Sequence, residues 1–215
     1  MYAWNSTSDI YVQRGADIYG EDAFDESGWS VSLSEDGSVI AIGAPYNDGN
    51  GWGSGHVRVY DWNTTSAKYT QRGGDIDGEA ASDNFGWSVS LSEDGSVIAI
   101  GAPYNDGNGK DSGHVRVYAW NSTSNNYVKR GADINGEAAR DQFGDEVSLS
   151  ADGSVVAIGA THNDGINGTN SGHVRVYAWD STSNIYVQLG ADIDGESACD
   201  ESGWSLSLSL QMALS

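Results

Sequence analysis

The chain has 215 residues, 31 of them acidic and only 10 basic, so its formal net charge is −21. A surface this negative repels nucleic acid and anionic lipid surfaces, and no apolar run approaches the roughly 18 residues that a membrane-spanning helix needs. Aromatic residues make up 10% of the chain and proline supplies only 2 residues, which excludes a proline-rich disordered chain. Cys199 is the single cysteine, so no intramolecular disulfide can form.

From residue 28 onward the sequence predicts a unit of four antiparallel strands. Its first and third strands alternate apolar and polar residues, and its second strand is a continuous apolar run, typical of a strand covered on both faces. Short turns containing Asp-Gly or Asn-Thr join the strands, and a longer polar loop separates the second from the third. The predicted strands of the first unit are 30–34, 39–43, 56–62 and 68–72.

This unit is copied along the whole chain. Gly28, Gly86, Gly144 and Gly203 mark equivalent positions, spaced by 58, 58 and 59 residues. A four-stranded sheet of this size must bury both faces against neighbours, and such a period is typical of β-propeller blades. We therefore expect an all-β domain over 1–215, a propeller of about four blades. The predicted complete blades are 28–85, 86–143 and 144–202. The fourth predicted blade is split between the termini, as the partial blades 1–27 and 203–215, with residues 204–208 as a first strand.

Two recurring motifs carry a family resemblance. Phe85-Gly86 and Phe143-Gly144 precede first strands, and Gly43-Ala44-Pro45 and Gly101-Ala102-Pro103 end second strands. In register, these motifs resemble the FG-GAP repeat, the blade unit of integrin α-subunit propellers and of many secreted proteins. The resemblance implies a β-propeller with an adhesion or binding role.

The chain departs from that family in three ways. Serine replaces the motif phenylalanine at Ser27 and Ser202, and the calcium-binding loop of integrin blades is reduced to a tight turn at Asp36-Gly37. Seven blades, usual for the family, would need about 400 residues. The tail 210–215 also abandons the repeat. We therefore expect a fragment of a larger propeller, whose open edges predispose it to self-association.

Acidic loops offer candidate calcium ligands. Asp75, Asp77, Glu79 and Asp83 place carboxylates at alternate loop positions, a spacing that suits a hard cation such as Ca²⁺. The alternative is that these side chains cap turns through their own backbone. The other candidate ligands, at equivalent positions, are Asp133, Asn135, Glu137, Asp141, Asp192, Asp194, Glu196 and Asp200.

Each third strand repeats a histidine, an arginine and a tryptophan. The histidines are expected to hydrogen-bond between blades rather than to bind a metal, the arginines to pair with acidic loops, and the tryptophans to pack between blades. These residues are His56, His114 and His173; Arg58, Arg116 and Arg175; and Trp62, Trp120 and Trp179.

The loops 46–55, 104–113 and 162–172 are expected to lie side by side on one rim. Loops presented by a rigid scaffold commonly carry recognition, so we expect a non-catalytic module that binds an extracellular protein or glycan there. The candidate ligand-binding residues are Asn47, Asp48, Asn50, Asn105, Asp106, Asn108, Asn163 and Asp164.

Two alternative functions stay open, a hydrolase and a structural spacer. Enzymes need one asymmetric site, and the third blade breaks the repeat, with Asp145-Glu146 replacing Trp-Ser and Thr161-His162 replacing Pro-Tyr. An acid pair beside a histidine is compatible with a glycoside hydrolase-like propeller.

Four Asn-x-Ser/Thr sequences in predicted turns are candidate glycosylation sites. The N-terminus has neither a basic segment nor an apolar stretch, so no signal peptide is visible. The acceptor sites, the acidity and the resemblance together favour an extracellular or cell-surface setting. The acceptor residues are Asn5, Asn63, Asn121 and Asn167.

Overall fold

The computed structural model describes residues 1–208, which contain 17 β-strands and no helix, and therefore no helix able to cross a membrane. The strands form four separate sheets, within which the strands pair antiparallel. The predicted tail 210–215 lies outside the described residues. The all-β architecture predicted from the period-two pattern is confirmed.

Three of the sheets are equivalent blades. In each, the first three long strands follow one another as neighbours, so each blade is a meander with its second strand buried on both faces. The first blade comprises β3 (Ser30–Leu33), β4 (Val39–Ala44), β5 (His56–Asn63), β6 (Lys68–Gln71) and β7 (Ile76–Asp77). The second comprises β8 (Ser88–Leu91), β9 (Val97–Ala102), β10 (His114–Asn121), β11 (Asn126–Lys129) and β12 (Ile134–Asn135). The third comprises β13 (Val147–Leu149), β14 (Val155–Ala160), β15 (His173–Asp180), β16 (Ile185–Gln188) and β17 (Ile193–Asp194).

Each blade contains one more strand than predicted. The expected fourth strand pairs only with the end of the third, as Trp62 with Tyr69, and a two-residue strand then pairs with its beginning, as His56 with Asp77. The chain leaves the sheet between these two pieces, at Gly73 and Gly74. Asp77, and its equivalents Asn135 and Asp194, therefore lie in strands and not in loops.

The blades stack through their innermost strands, β3, β8 and β13, which contact one another in succession. Serine side chains of one strand bond the backbone of the next blade: Ser32 Oγ accepts from Leu91 N at 2.9 Å, and Ser90 Oγ accepts from Leu149 N at 3.0 Å. The serines of the alternating Ser-Val-Ser-Leu pattern thus satisfy backbone groups between blades.

The motif phenylalanines fill the space between blades. Phe85 and Phe143 are fully buried, each with an edge-to-face contact to a histidine and a tyrosine of the following blade. Burying a phenylalanine side chain contributes on the order of 1.5–3 kcal/mol. These residues therefore hold successive blades together.

The third-strand tryptophans also pack between blades, as predicted. Arg72 from the first blade lies 4.3 Å from the ring centroid of Trp120, and Arg130 from the second lies 4.4 Å from that of Trp179. Arg14 makes the same contact with Trp62. Each stacked guanidinium covers an aromatic face that water would otherwise wet.

The two ends of the described chain do not join into one blade. The N-terminal residues form a sheet of their own, β1 (Tyr2–Asn5) paired with β2 (Ile10–Gln13). Residues 204–208, predicted as a first strand, have no strand partner among residues 1–208. On β3, Val31 and Leu33 are exposed. The equivalent residues of β13, Val147 and Leu149, are buried, because the preceding blade covers them through β8. Self-association through this edge stays a prediction.

Candidate functional site

The acidic loops meet the third strands at three equivalent places between blades, which we call the interface clusters. Each cluster joins a Glu from the preceding loop, a His and an Arg from a third strand, and an Asp that precedes the short fifth strand. The first cluster is Glu21, His56, Arg58 and Asp75; the second is Glu79, His114, Arg116 and Asp133; the third is Glu137, His173, Arg175 and Asp192.

Arginine links the carboxylates of the second cluster. Arg116 Nε donates to Asp133 Oδ1 at 2.8 Å, and its Nη2 donates to Glu79. Burial opposes the ionisation of Asp133, but hydrogen bonds from Arg116 and Lys129 outweigh it and lower the pKa of Asp133 to about 2. The predicted pairing of the repeated arginines with acidic loops is confirmed, since Arg58 and Arg175 also pair with loop carboxylates.

This pairing predicts acid sensitivity. Because the pKa of Asp133 is lower in the folded chain than its ordinary value of 3.8, its stabilisation is fully present above that value and is lost as the pH falls towards 2. We expect the difference in unfolding free energy between the wild type and Asp133→Asn to shrink between about pH 4 and pH 2. Urea unfolding at several pH values measures it, and a difference that grows on acidification would contradict the pairing.

The repeated histidines do not make the predicted hydrogen bonds between blades. Nε2 of His114 and of His173 is buried without a partner among the described residues. Their rings pack edge-on against Phe85 and Phe143, and Nδ1 of His114 lies 3.9 Å from a Glu79 oxygen, too far for a hydrogen bond. Aromatic packing, and not hydrogen bonding, fixes these imidazoles.

The candidate calcium ligands of one loop are divided between two clusters. Asp75 and Asp77 line the first, whereas Glu79 and Asp83 both accept hydrogen bonds from Asn105 in the following blade. The third loop is divided likewise, since Glu137 and Asp141 accept from Asn163, while Glu196 and Asp200 of the last loop are exposed. Burial raises the pKa of Asp83 and of Asp141. Calcium binding by these residues stays a prediction.

The predicted recognition residues mainly build the loops that carry them. Asn47, Asn105 and Asn163 are buried, and each donates to a carboxylate of the preceding loop. Asn50 and Asn108 donate at 2.8 Å each to the carbonyl oxygens of Gly78 and Gly136, which follow the short fifth strand of the same blade. The aspartates accept from backbone amides of their own loops, and these are Asp48, Asp106 and Asp164.

The candidate glycosylation sites lie at turns. Asn5, Asn63 and Asn121 end strands β1, β5 and β10, and each Oδ1 accepts from the backbone amide two residues on, in the turn that follows. Asn167 donates to Gly195 O at 2.7 Å. Glycosylation at these positions stays a prediction.

A cavity of about 470 Å³, which we call the axial pocket, opens where the innermost strands of the three blades converge. Trp29 and Trp87 lie side by side there with ring centroids 4.7 Å apart, and Tyr104 meets Trp87 edge-to-face at 5.5 Å. Trp204 completes the aromatic lining. The volume falls within the range of small-molecule sites.

The third blade supplies polar groups to the axial pocket at positions where the sequence of the other two blades has Trp, Ser, Pro and Tyr. The Thr161 hydroxyl donates to Asp145 and lies 3.0 Å from His162 Nδ1, which is 4.0 Å from Asp145 Oδ2. Burial raises the pKa of Asp145 and of Glu146. The symmetry break seen in the sequence therefore produces one cluster, with two carboxyls that protonate more readily than usual.

The aromatic part of this pocket was missed in the sequence. Trp29, Trp87 and Trp204 each follow a motif glycine, in three of the four copies, so a usable signal existed in their register. The tryptophans converge because the blades stack radially, and the sequence pattern within one blade does not show which residues of different blades meet.

Stacked antiparallel sheets of repeated sequence, with a polar and aromatic pocket where their innermost strands converge, define a β-propeller repeat protein. The FG-GAP repeat matches residues 20–60, 76–118 and 135–177, more than half of the chain. The chain belongs to the FG-GAP repeat family, as the motifs indicated. No curated protein matches it.

Solved propellers share the fold at low identity. A Bacteroides fragilis protein assigned to the 6-phosphogluconolactonases has a TM-score of 0.57 at 10% identity, over 91% of this chain and 47% of that one. The Pseudomonas aeruginosa periplasmic gluconolactonase PpgL gives 0.50 at 13%, over 88% and 50%. Saccharomyces cerevisiae Sqt1 gives 0.51 at 13%, over 83% and 38%. The chain thus spans about half or less of each structure.

Proposed function

We propose that this chain is a non-catalytic, extracellular binding module and that its axial pocket binds a glycan. The observation that carries the proposal is the pocket lining, in which Trp29, Trp87 and Tyr104 present ring faces and edges beside Asp145 and Glu146. A sugar ring has an apolar C–H face that packs on an aromatic ring and hydroxyls that donate to carboxylates. Both kinds of partner are present within one cavity.

The recognition loops contribute to this site through their first residues. Tyr104 and His162 begin the second and third loops and line the axial pocket, and Tyr46 of the first loop contacts Trp87 edge-on. This arrangement suits a glycan whose terminal sugar binds in the axial pocket and whose remaining sugars contact the surrounding loops. A protein ligand would use the same rim without filling the pocket.

An array of immobilised oligosaccharides, followed by calorimetric titration of the binding sugars, tests this proposal. We expect Trp87→Ala to weaken binding by about five- to thirtyfold, because a lost stacking face costs on the order of 1–2 kcal/mol. The matched control is Trp4→Ala, an exposed tryptophan on β1, outside the pocket. Absence of any array signal, or equal losses in both variants, would reject the glycan proposal and favour a protein ligand or a spacer.

The second candidate function is a hydrolase at the same pocket. It is favoured by one observation, the contact of Asp145 with Thr161 and His162 at a carboxyl of raised pKa. The gluconolactonase among the structural neighbours suggests D-glucono-1,5-lactone as one test substrate, beside chromogenic glycosides. Turnover that Asp145→Asn and His162→Gln abolish would establish the hydrolase and overturn the non-catalytic proposal.

A further inference from the structure

The three interface clusters differ in how their negative charge is neutralised. In the second, Arg116 bonds both Glu79 and Asp133. In the third, Arg175 bonds both Glu137 and Asp192. Each guanidinium therefore occupies the space between two carboxylates, where a metal ion would otherwise lie.

The first cluster lacks this bridge. Arg58 Nη1 lies 3.3 Å from Glu21 Oε1, but its Nη2 donates instead to Tyr19 O at 3.1 Å. No basic side chain within residues 1–208 pairs with Asp75. Gln71 stands beside Asp75 where Lys129 pairs with Asp133 in the second cluster. The carboxylate of Asp75 is thus left without a cation.

A buried imidazole faces the same two carboxylates. His56 is only 2% exposed, and its Nδ1 lies 3.9 Å from Glu21 Oε2. This distance is too long for a hydrogen bond, and the imidazole makes none with the described residues.

The spacing suits a small divalent ion. Ligand atoms of Glu21, His56 and Asp75 all lie within 4.8 Å of one another. Zinc bonds of about 2.1 Å in a tetrahedral site separate ligand atoms by roughly 3.4 Å, so closure needs only small side-chain movements. The adjoining cavity, of about 570 Å³, is lined by further carboxylates and leaves room for a water ligand; these are Asp22, Asp25, Asp48 and Asp77.

We propose that Glu21, His56 and Asp75 bind one zinc ion at the interface between the N-terminal loop and the first blade. One imidazole nitrogen with two carboxylates is a donor set typical of zinc, whereas calcium takes oxygen ligands alone. The ion supplies the positive charge that arginine supplies in the other two clusters. The site shares no lining residue with the axial pocket, so it stands apart from the proposed glycan function.

Calorimetric titration of the chelator-treated chain with zinc chloride tests the site. We expect one zinc ion per chain and a loss of affinity of at least about tenfold in His56→Gln and in Glu21→Gln. Glu21 is half-exposed, so its variant keeps the test valid if His56→Gln fails to fold. His114→Gln and His173→Gln are matched controls, which should bind zinc as the wild type does.

A charge substitution gives an independent readout. Gln71→Lys places a cation beside Asp75, as Lys129 does beside Asp133. We expect this variant to bind zinc at least about tenfold more weakly than the wild type. Its melting temperature without metal should be equal to or higher than that of the wild type. No zinc binding by the wild type, equal affinity in His56→Gln and the controls, or loss of binding in His173→Gln would each overturn the proposal. So would calcium that binds more tightly than zinc and independently of His56, which would instead support the acidic-loop calcium site.

Discussion

Phe143→Ala is expected to lower the unfolding free energy by about 3–5 kcal/mol, because it removes a fully buried ring and leaves a cavity between the second and third blades. The ring packs in one core cluster with Val147 and Ile158, and meets His173 and Tyr177 edge-on at centroid distances of 6.4 Å. Urea unfolding followed by tryptophan fluorescence measures the change. A loss below about 1 kcal/mol would show that the motif phenylalanine does not hold the blades together.

Two further variants control this result. Phe24 has the same side chain but is 91% exposed, so Phe24→Ala should change the unfolding free energy by less than about 0.5 kcal/mol. Phe143→Leu keeps much of the buried volume and should cost less than about 1.5 kcal/mol. If Phe143→Leu were as damaging as Phe143→Ala, the ring contacts and not the filled volume would carry the effect.

Gly101→Ala is expected to be nearly as destabilising, by about 3 kcal/mol, although it adds a single methyl group. An added Cβ would lie 2.0 Å from Gly144 O in the next blade and 2.4 Å from Ser88 Oγ. Backbone atoms cannot withdraw as a flexible side chain can, so the two blades must separate. This close approach explains why the Gly of one GAP motif and the Gly of the next FG motif recur together.

The control is Gly74→Ala, where an added Cβ would come no nearer than 3.9 Å to another residue. That variant should leave the unfolding free energy within about 0.5 kcal/mol of the wild type. Thermal and urea unfolding of both variants measure the contrast. Equal stability of Gly101→Ala and the wild type would mean that the blades do not approach as closely as described.

An isolated β-bridge between Gly172 and Ser202 shows that the Gly and the Phe of the equivalent bridges have different roles. It forms with the same parallel geometry as the bridges from Gly55 to Phe85 and from Gly113 to Phe143, although serine replaces phenylalanine. The backbone contact therefore depends on glycine, and the phenylalanine contributes core volume. The sequence shows both residues as one motif and does not divide these roles.

Individual elements show where sequence reasoning stopped. The third strand predicted at 56–62 is observed as His56–Asn63, because alternation over seven residues leaves little ambiguity. The fifth strand, Ile76–Asp77, is too short to show any period. Asp75 and Glu79 are four residues apart, yet they lie at different blade interfaces. Their spacing within one loop does not predict this separation.

The sequence alone determined the repeated unit, its strands and its family, since alternation and a 58-residue period are local properties that each copy displays independently. Tertiary structure decided which residues of different copies meet: the aromatic lining of the axial pocket, the arginine bridges, and the first cluster where the bridge is missing. The physical reason is that radial stacking brings side chains of successive copies within contact distance, so that in the first cluster Arg58 pairs with Glu21 but leaves Asp75 without a cation.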